Sequence, residues 1–320
     1  MAEQLSVDRL QLIAEIARRY YMDGLSQDEI AKLVGLSRPS ISRLLLDARE
    51  LGIVEIRVNP PIPTVPDLED QMARQFNLQE VRVLECKNSS DDEVRRQLGR
   101  LAVTLLDRTL QDGMTLGLSW GTTVHAVICE LRPRRLPNVK VVQLIGGVGA
   151  PHATIDGPEQ VRRAGEMFGA QHYYLNAPMR VDNADVARAL REDRSVREVL
   201  ELARQSHVAL VGIGSIVPGV STQYHSGYIS YDELRRLDRM GAVGAICASF
   251  FNLAGEYVEV PWFNPCVIGV DWVDLNQCPT VIAMATGKAK APAILGAVRS
   301  GVVDRLIIDD VAAEAVLALT

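Results

Sequence analysis

Short apolar runs recur from residue 80 to residue 310, and they constrain the fold more than any other feature of the chain. "EVRVLEC" alternates like a strand. "MTLGLSW", "VKVVQLIGG", "HVALVGIGS", "AVGAICASF", "CVIGVD", "TVIAMATG" and "VDRLIIDD" follow, most with helical segments between them. Runs of this length that are apolar on both faces belong to parallel strands covered by helices, which predicts an α/β domain. Several end in Gly, Ser or Thr. In open α/β sheets, ligands bind outside the carboxyl ends of the strands.

Three of these strand ends are candidate ligand sites. In "GLSWGTTVHAV" the strand ends at Trp120, Gly121 turns the backbone, and Thr122 and Thr123 open a helix. Free N–H groups and two hydroxyls there suit an anion. In "MATGKAKAPAIL" a strand ends at Gly287 and Lys288 follows; Lys288 and Lys290 are two of only five lysines in the chain. A lysine directly after such a glycine is well placed to neutralise a phosphate or carboxylate. "GIGS", Gly212 to Ser215, is the third. In "GAICASFFNLAGEYV", Phe250 and Phe251 read as a pocket wall or as core, with Asn252 reaching a sugar hydroxyl in the first case.

Upstream lies a different pattern. In "SQDEIAKLVGLSRPSISRLLLDA", Ser26 and Glu29 form a capping box that starts a helix with Ile30, Ala31, Leu33 and Val34 on its apolar face. Gly35 breaks it and Leu36 plugs the core. Ser37 caps the next helix, Pro39 sits in its first turn, and Ile41, Leu44, Leu45 and Ala48 face inward. The preceding "VDRLQLIAEIARRYYMDG" reads as a helix with Leu10, Ile13, Ile16, Ala17 and Tyr20 inward; "GIVEIRV" after it alternates like a strand. This spacing is that of a helix-turn-helix, whose second helix enters the major groove. Arg38, Ser42 and Arg43 then face outward as base and phosphate contacts, with Ser37 and Gln27 as phosphate contacts. An ordinary helical hairpin with a solvated polar face, or an adaptor that binds protein, is the alternative for this segment.

Charge narrows the possibilities. The net charge is −6, and residues 1–58 hold eight Lys and Arg against nine Asp and Glu. Bulk electrostatics therefore does not drive nucleic-acid binding; a few placed side chains, doubled by dimerisation, must do so. "NPPIPTVPD" concentrates four of the fifteen prolines. It is read as a linker at 59–67, joining a DNA-binding domain at 1–58 to a larger domain at 68–320.

Other chemistries find little support. The five cysteines form no CxxC pair and read as free thiols in a reducing cytoplasm. The histidines show no metal-ligand spacing, and no P-loop or G-x-S-x-G elbow occurs, so no metal or cofactor is expected. Asp271 and Asp274 could serve as a base and Lys288 could form a Schiff base. No apolar run is long enough to cross a bilayer, and the N-terminus lacks a signal-peptide pattern.

The whole chain resembles the SorC/DeoR-type sugar-responsive bacterial transcription regulators. The resemblance rests on "LSQDEIAKLVGLSRPSISRLL", "SWGTTV", "VVQLIGG", "LVGIGS", "GAVGAICASFFNLAGEYV", "VIGV" and "ATGKAKAPAILGAVRSGVVDRLIIDD", in family order over nearly the full length. It implies a large domain like the glucosamine-6-phosphate deaminase and ribose-5-phosphate isomerase folds, which senses rather than catalyses. It also implies a phosphorylated sugar or sugar alcohol as effector and a homo-oligomer, dimer or tetramer. Carried onto this chain, it implies phosphate or polar contacts at Gly121, Thr122, Thr123, Gly287 and Lys288, and a polar contact near Asn252. The chain departs from the family at Asn252, often aspartate, and at Ala248-Ser249, often glycine-arginine. The reading is a repressor of a carbohydrate catabolic operon, controlled by its effector and acting on double-stranded operator DNA. A sugar-phosphate isomerase or deaminase-like enzyme with an appended helix-turn-helix is the alternative.

Overall fold

The computed structural model describes residues 7–55, 61–87, 89–149 and 155–320. The chain divides into two units, Met1–Pro61 and Ile62–Thr320. The smaller unit contains α1 (Val7–Tyr21), α2 (Gln27–Val34) and α3 (Arg38–Glu50). Its core is Ile13, Ile16, Ala17, Ile30, Ala31, Ile41, Leu45 and Ala48. The local signals act as expected. Ser26 accepts from the Glu29 N–H while the Glu29 carboxylate accepts from the Ser26 N–H. Gly35 ends α2 at φ 71°, a left-handed conformation that glycine adopts without a Cβ clash.

Three residues expected inside are not. Leu10, Leu33 and Leu36 are exposed. At about 100° per residue, Leu33 lies about 60° from Ile30 on the side away from Ala31, outside the stripe that a short helix can bury. Residues 52–55 turn rather than pair as a strand; the rest of the expected strand, and Asn59 and Pro60 of the linker, lie outside the described residues.

The second half of the proline-rich stretch is part of the larger unit. Ile62 packs on its core, the Val65 N–H donates to the Val83 carbonyl, and Pro66 opens a helix. From there the chain runs α4 (Pro66–Phe76), β1 (Glu80–Leu84), α5 (Asp91–Thr109), β2 (Thr115–Leu118), α6 (Thr122–Glu130), β3 (Lys140–Gln143), α7 (Gly157–Phe168) and β4 (Gln171–Tyr173). Next come α8 (Ala184–Glu192), α9 (Arg194–Arg204), β5 (Val208–Gly212), β6 (Gly214–Ser215), α10 (Thr222–His225) and α11 (Tyr231–Arg239). The last elements are β7 (Ala242–Ile246), β8 (Ser249–Asn252), α12 (Trp272–Gln277), β9 (Val281–Met284), α13 (Ala291–Arg299), β10 (Arg305–Asp309) and α14 (Asp310–Leu317).

Seven described strands form one parallel sheet in the order β1-β10-β9-β5-β2-β3-β4. Separate clusters of buried residues lie on either side of it; Val211 and Ala283 belong to one, Leu210 and Ile282 to the other. That two-sided burial is why the strands read as continuous apolar runs.

Two runs expected as parallel strands are not. "AVGAICASF" is a hairpin: β7 and β8 pair antiparallel, and β6 joins them in a three-stranded sheet. Its turn is Cys247–Ala248, neither a turn-forming residue, so nothing in the sequence marked the reversal. "CVIGVD" makes isolated bridges, Val267 with Arg180 and Gly269 with Ile145. β4 carries no apolar run because its residues are polar and lie at a sheet edge, where one flank needs no burial.

Candidate functional site

Strand order locates a ligand site before any side chain is considered. From β2 the chain crosses through α6 to β3 on one side; from β5 it proceeds to β9 on the other. The neighbours β2 and β5 therefore flank the point where the winding reverses, and a crevice opens at their carboxyl ends. A cleft of about 620 Å³, counted to its open mouth, lies there. Ser119–Thr123 follow β2, and Gly212–Ile216 include the end of β5 and the whole of β6. The β7–β8 hairpin supplies Ala245, Cys247, Ala248 and Phe250, and Lys290 lines the cleft from the turn before α13.

The β2–α6 turn is built to expose donors. Gly121 is the N-cap of α6 at φ 121°, a conformation closed to other residues without strain, and no side chain caps the helix. The Gly121 N–H donates to the Ile155 carbonyl. Thr122 and Thr123 open the first turn, and neither hydroxyl has a hydrogen-bond partner among the described residues. Ser119 Oγ accepts from the Gly212 N–H at 3.3 Å, which ties the two switch-point strands together. Uncapped N–H groups and the positive end of the helix dipole favour an anion here.

Lys290 completes the arrangement. Its Nζ donates to the Ile213 carbonyl at 3.1 Å, and burial pushes its pKa down to about 8. It is the one charged residue lining the cleft among those described. No carboxylate or imidazole lines it, so the described lining offers no acid/base pair.

The structure separates the expected effector residues. Gly121, Thr122 and Thr123 come together in the cleft. Lys288 is exposed, and Lys290 takes the place expected for it. Lys288–Lys290 is one turn of 3₁₀-helix, so the two side chains leave about 120° apart around its axis. The Gly287 N–H is committed to the Asp309 carboxylate at 2.7 Å. Asn252 ends β8 and its side chain is tied to the turn that follows: its Oδ1 accepts from the N–H groups of Ala254 and Glu256, and its Nδ2 donates to Glu256. Asp271 caps α12 and Asp274 pairs with Arg204; neither lines the cleft.

In the smaller unit the outer face of α3 presents Arg38, Ser42 and Arg43, all exposed, followed by the exposed Leu46. Ser37 caps α3; its Oγ accepts from the Ser40 N–H and is hydrogen-bonded to the Ser40 hydroxyl at 2.8 Å. Arg38 lies 3.8 Å from Asp28, an exposed pair that holds it only weakly. Arg43 makes no ion pair among the described residues. Gln27, half-buried, begins α2.

A capped three-helix unit with an exposed arginine-bearing helix, joined to an α/β unit with an anion-suited cleft, defines a DNA-binding regulator governed by a small ligand. Known proteins agree. Residues 61–318 match the family described as "Putative sugar-binding domain". The deoxyribonucleoside regulator of Bacillus subtilis (strain 168) is 32% identical over 310 residues, covering 97% of this chain and 98% of the relative. The transcriptional regulator LsrR of Enterobacter sp. (strain 638) is 35% identical over 317 residues, covering 98% and 95%. The crystal structure of the full-length sorbitol operon regulator SorC from Klebsiella pneumoniae superposes with a TM-score of 0.78 at 29% identity, covering 98% of this chain and all of that one. The chain belongs to the SorC/DeoR-type family of sugar-binding transcriptional regulators. At the level of that family it is a DNA-binding, sugar-responsive regulator, and its relatives are regulators rather than enzymes. No helix among the described residues is long and apolar enough to cross a membrane.

Proposed function

We propose that this protein represses a carbohydrate catabolic operon in the cytoplasm. It binds operator DNA through α3 and releases it when a phosphorylated sugar or sugar alcohol enters the switch-point cleft. The observation that carries the reading is that the uncapped α6 N-terminus, two free threonine hydroxyls and the half-buried Lys290 line one cleft. Phosphate is the natural ligand of that donor set. The remaining lining, including Ile145, Ile213, Ile216 and Phe250, suits the carbon skeleton of a small sugar.

Arg38, Ser42 and Arg43 make the base and phosphate contacts, with Gln27 and the first turn of α3 near Ser37 on the backbone. Assembly as a dimer or tetramer doubles these contacts and offsets the near-neutral charge of residues 1–58. An effector alters operator affinity only if it binds two quaternary arrangements unequally, so the ligand and the operator each weaken the other's binding. The test is operator binding to the protein's own upstream region, titrated with phosphorylated sugars and sugar alcohols. Release by one compound is expected; no specific DNA binding at low salt refutes the reading.

A further inference from the structure

The outer face of α3 carries a residue that the base and phosphate contacts above leave unused. Leu46 is 52% exposed, on a helix whose buried residues are Ile41, Leu45 and Ala48. At about 100° per residue, Leu46 stands about 40° from Ser42 and about 60° from Arg43, between the two and one turn further along. Helical side chains lean toward the N-terminus, so Leu46 covers the strip that Ser42 and Arg43 flank rather than the turn beyond it. The charged residues that follow are turned back onto α1. Asp47 pairs with Arg9 at 3.4 Å, and Arg49 donates to the Tyr21 hydroxyl at 3.0 Å and lies over its ring. What α3 presents outward is therefore a frame of two arginines and a serine, Arg38, Ser42 and Arg43, with an apolar side chain inside its arc.

We propose that Leu46 is a specificity residue that reads thymine, packing on the C5-methyl group of one thymine in each operator half-site. The proposal rests on the reading of α3 as the helix that enters the major groove. A single exposed leucine needs no explanation on an ordinary surface. One framed by groups that suit phosphates and base edges faces a groove whose edges offer an apolar group only at thymine. A second copy of this chain seated on the same face would bring arginine against arginine, whereas a polyanion matches the frame. The arginines hydrogen-bond and the leucine excludes water, so the two kinds of contact report different bases.

The test is fluorescence anisotropy of the full chain on a duplex from its own upstream region, with each thymine in turn replaced by deoxyuridine, which lacks only the C5-methyl group. For the wild type, one replacement in each half-site should weaken binding about fourfold, the worth of burying one methyl group. Leu46→Ala should bind the unmodified duplex more weakly by at least as much and be indifferent to that same replacement. Alanine is a good helix former and the site is exposed, so the variant folds. Wild-type affinity that no replacement lowers, or a Leu46→Ala protein that still feels the replacement, overturns the proposal. A Leu46→Ala protein that changes oligomeric state in sedimentation while still feeling the replacement assigns the residue to an interface between copies and overturns it too. If the wild type binds no duplex specifically at low salt, the reading of α3 fails and takes this one with it. Binding that Arg43→Ala abolishes, alongside wild-type indifference to every replacement, refutes the leucine contact alone.

Discussion

Lys290 holds a positive charge where the fold has removed much of its water, and removing that charge has two opposed consequences. Its pKa falls from 10.5 to about 8 through burial. At about 1.4 kcal/mol per pH unit, the protonated side chain costs the ligand-free fold about 3 kcal/mol below pH 8. Between pH 8 and 10.5 the folded state has shed the proton that the unfolded state keeps, so this cost fades and stability rises with pH in that window. Lys290→Met preserves the length of the side chain and removes the titration. Near pH 7 the variant should melt above the wild type, and the gap should close by pH 10.5. At about 2–4 °C per kcal/mol the gap is several degrees. The same change should weaken binding of a sugar phosphate by about 1.5–3 kcal/mol, the worth of a charge-assisted hydrogen bond, or about 10–150-fold. Thermal melts of both proteins across pH 7–10.5, with calorimetric titration at pH 7, measure both effects. A variant that melts below the wild type throughout and binds the ligand normally would show that Lys290 is a structural lysine.

Wild-type affinity for the effector should fall above pH 8, about tenfold per pH unit, as Lys290 loses its proton; calorimetry at pH 7, 8 and 9 checks this. Lys288→Ala and Asn252→Ala should leave effector affinity within about twofold, since one residue is exposed and the other is held in a turn; a loss beyond about 1 kcal/mol in either would restore it to the site. Arg43→Ala should cost about 1–3 kcal/mol of operator binding, whereas Asp28→Asn, which frees Arg38 and removes an acidic group, should tighten it; fluorescence anisotropy on an operator duplex reads both. Ser26→Ala should cost about 1 kcal/mol of stability by breaking the capping box, measured by denaturant titration.

Much of the molecule was legible because its signals are local. The Ser26–Glu29 box, the Gly35 stop and the Ser37 cap each depend on residues within one turn, and α2 and α3 followed from them. The β2–α6 turn was legible for the same reason, since Gly121 and the threonines lie side by side in the chain. The errors arose where the outcome depends on a partner distant in sequence. Leu33 is apolar, but only packing against α1 and α3 decides which arc of α2 is covered. The Cys247–Ala248 turn has no turn residues, and it is the pairing of β7 with β8 that forces it.

What the sequence determined alone is the class: two-sided apolar strands demand a helix-covered parallel sheet, and capped helices at helix-turn-helix spacing demand a compact helical unit. What only the tertiary structure decided is which strand ends meet. Gly121, just past β2, and Gly212, at the end of β5, meet at the cleft because the winding reverses between those neighbouring strands, and that reversal is a property of strand order, not of either segment. Lys290 rather than Lys288 lines the cleft because one 3₁₀ turn directs lysines two residues apart to different sides, and only the packed fold makes one of those sides the ligand site.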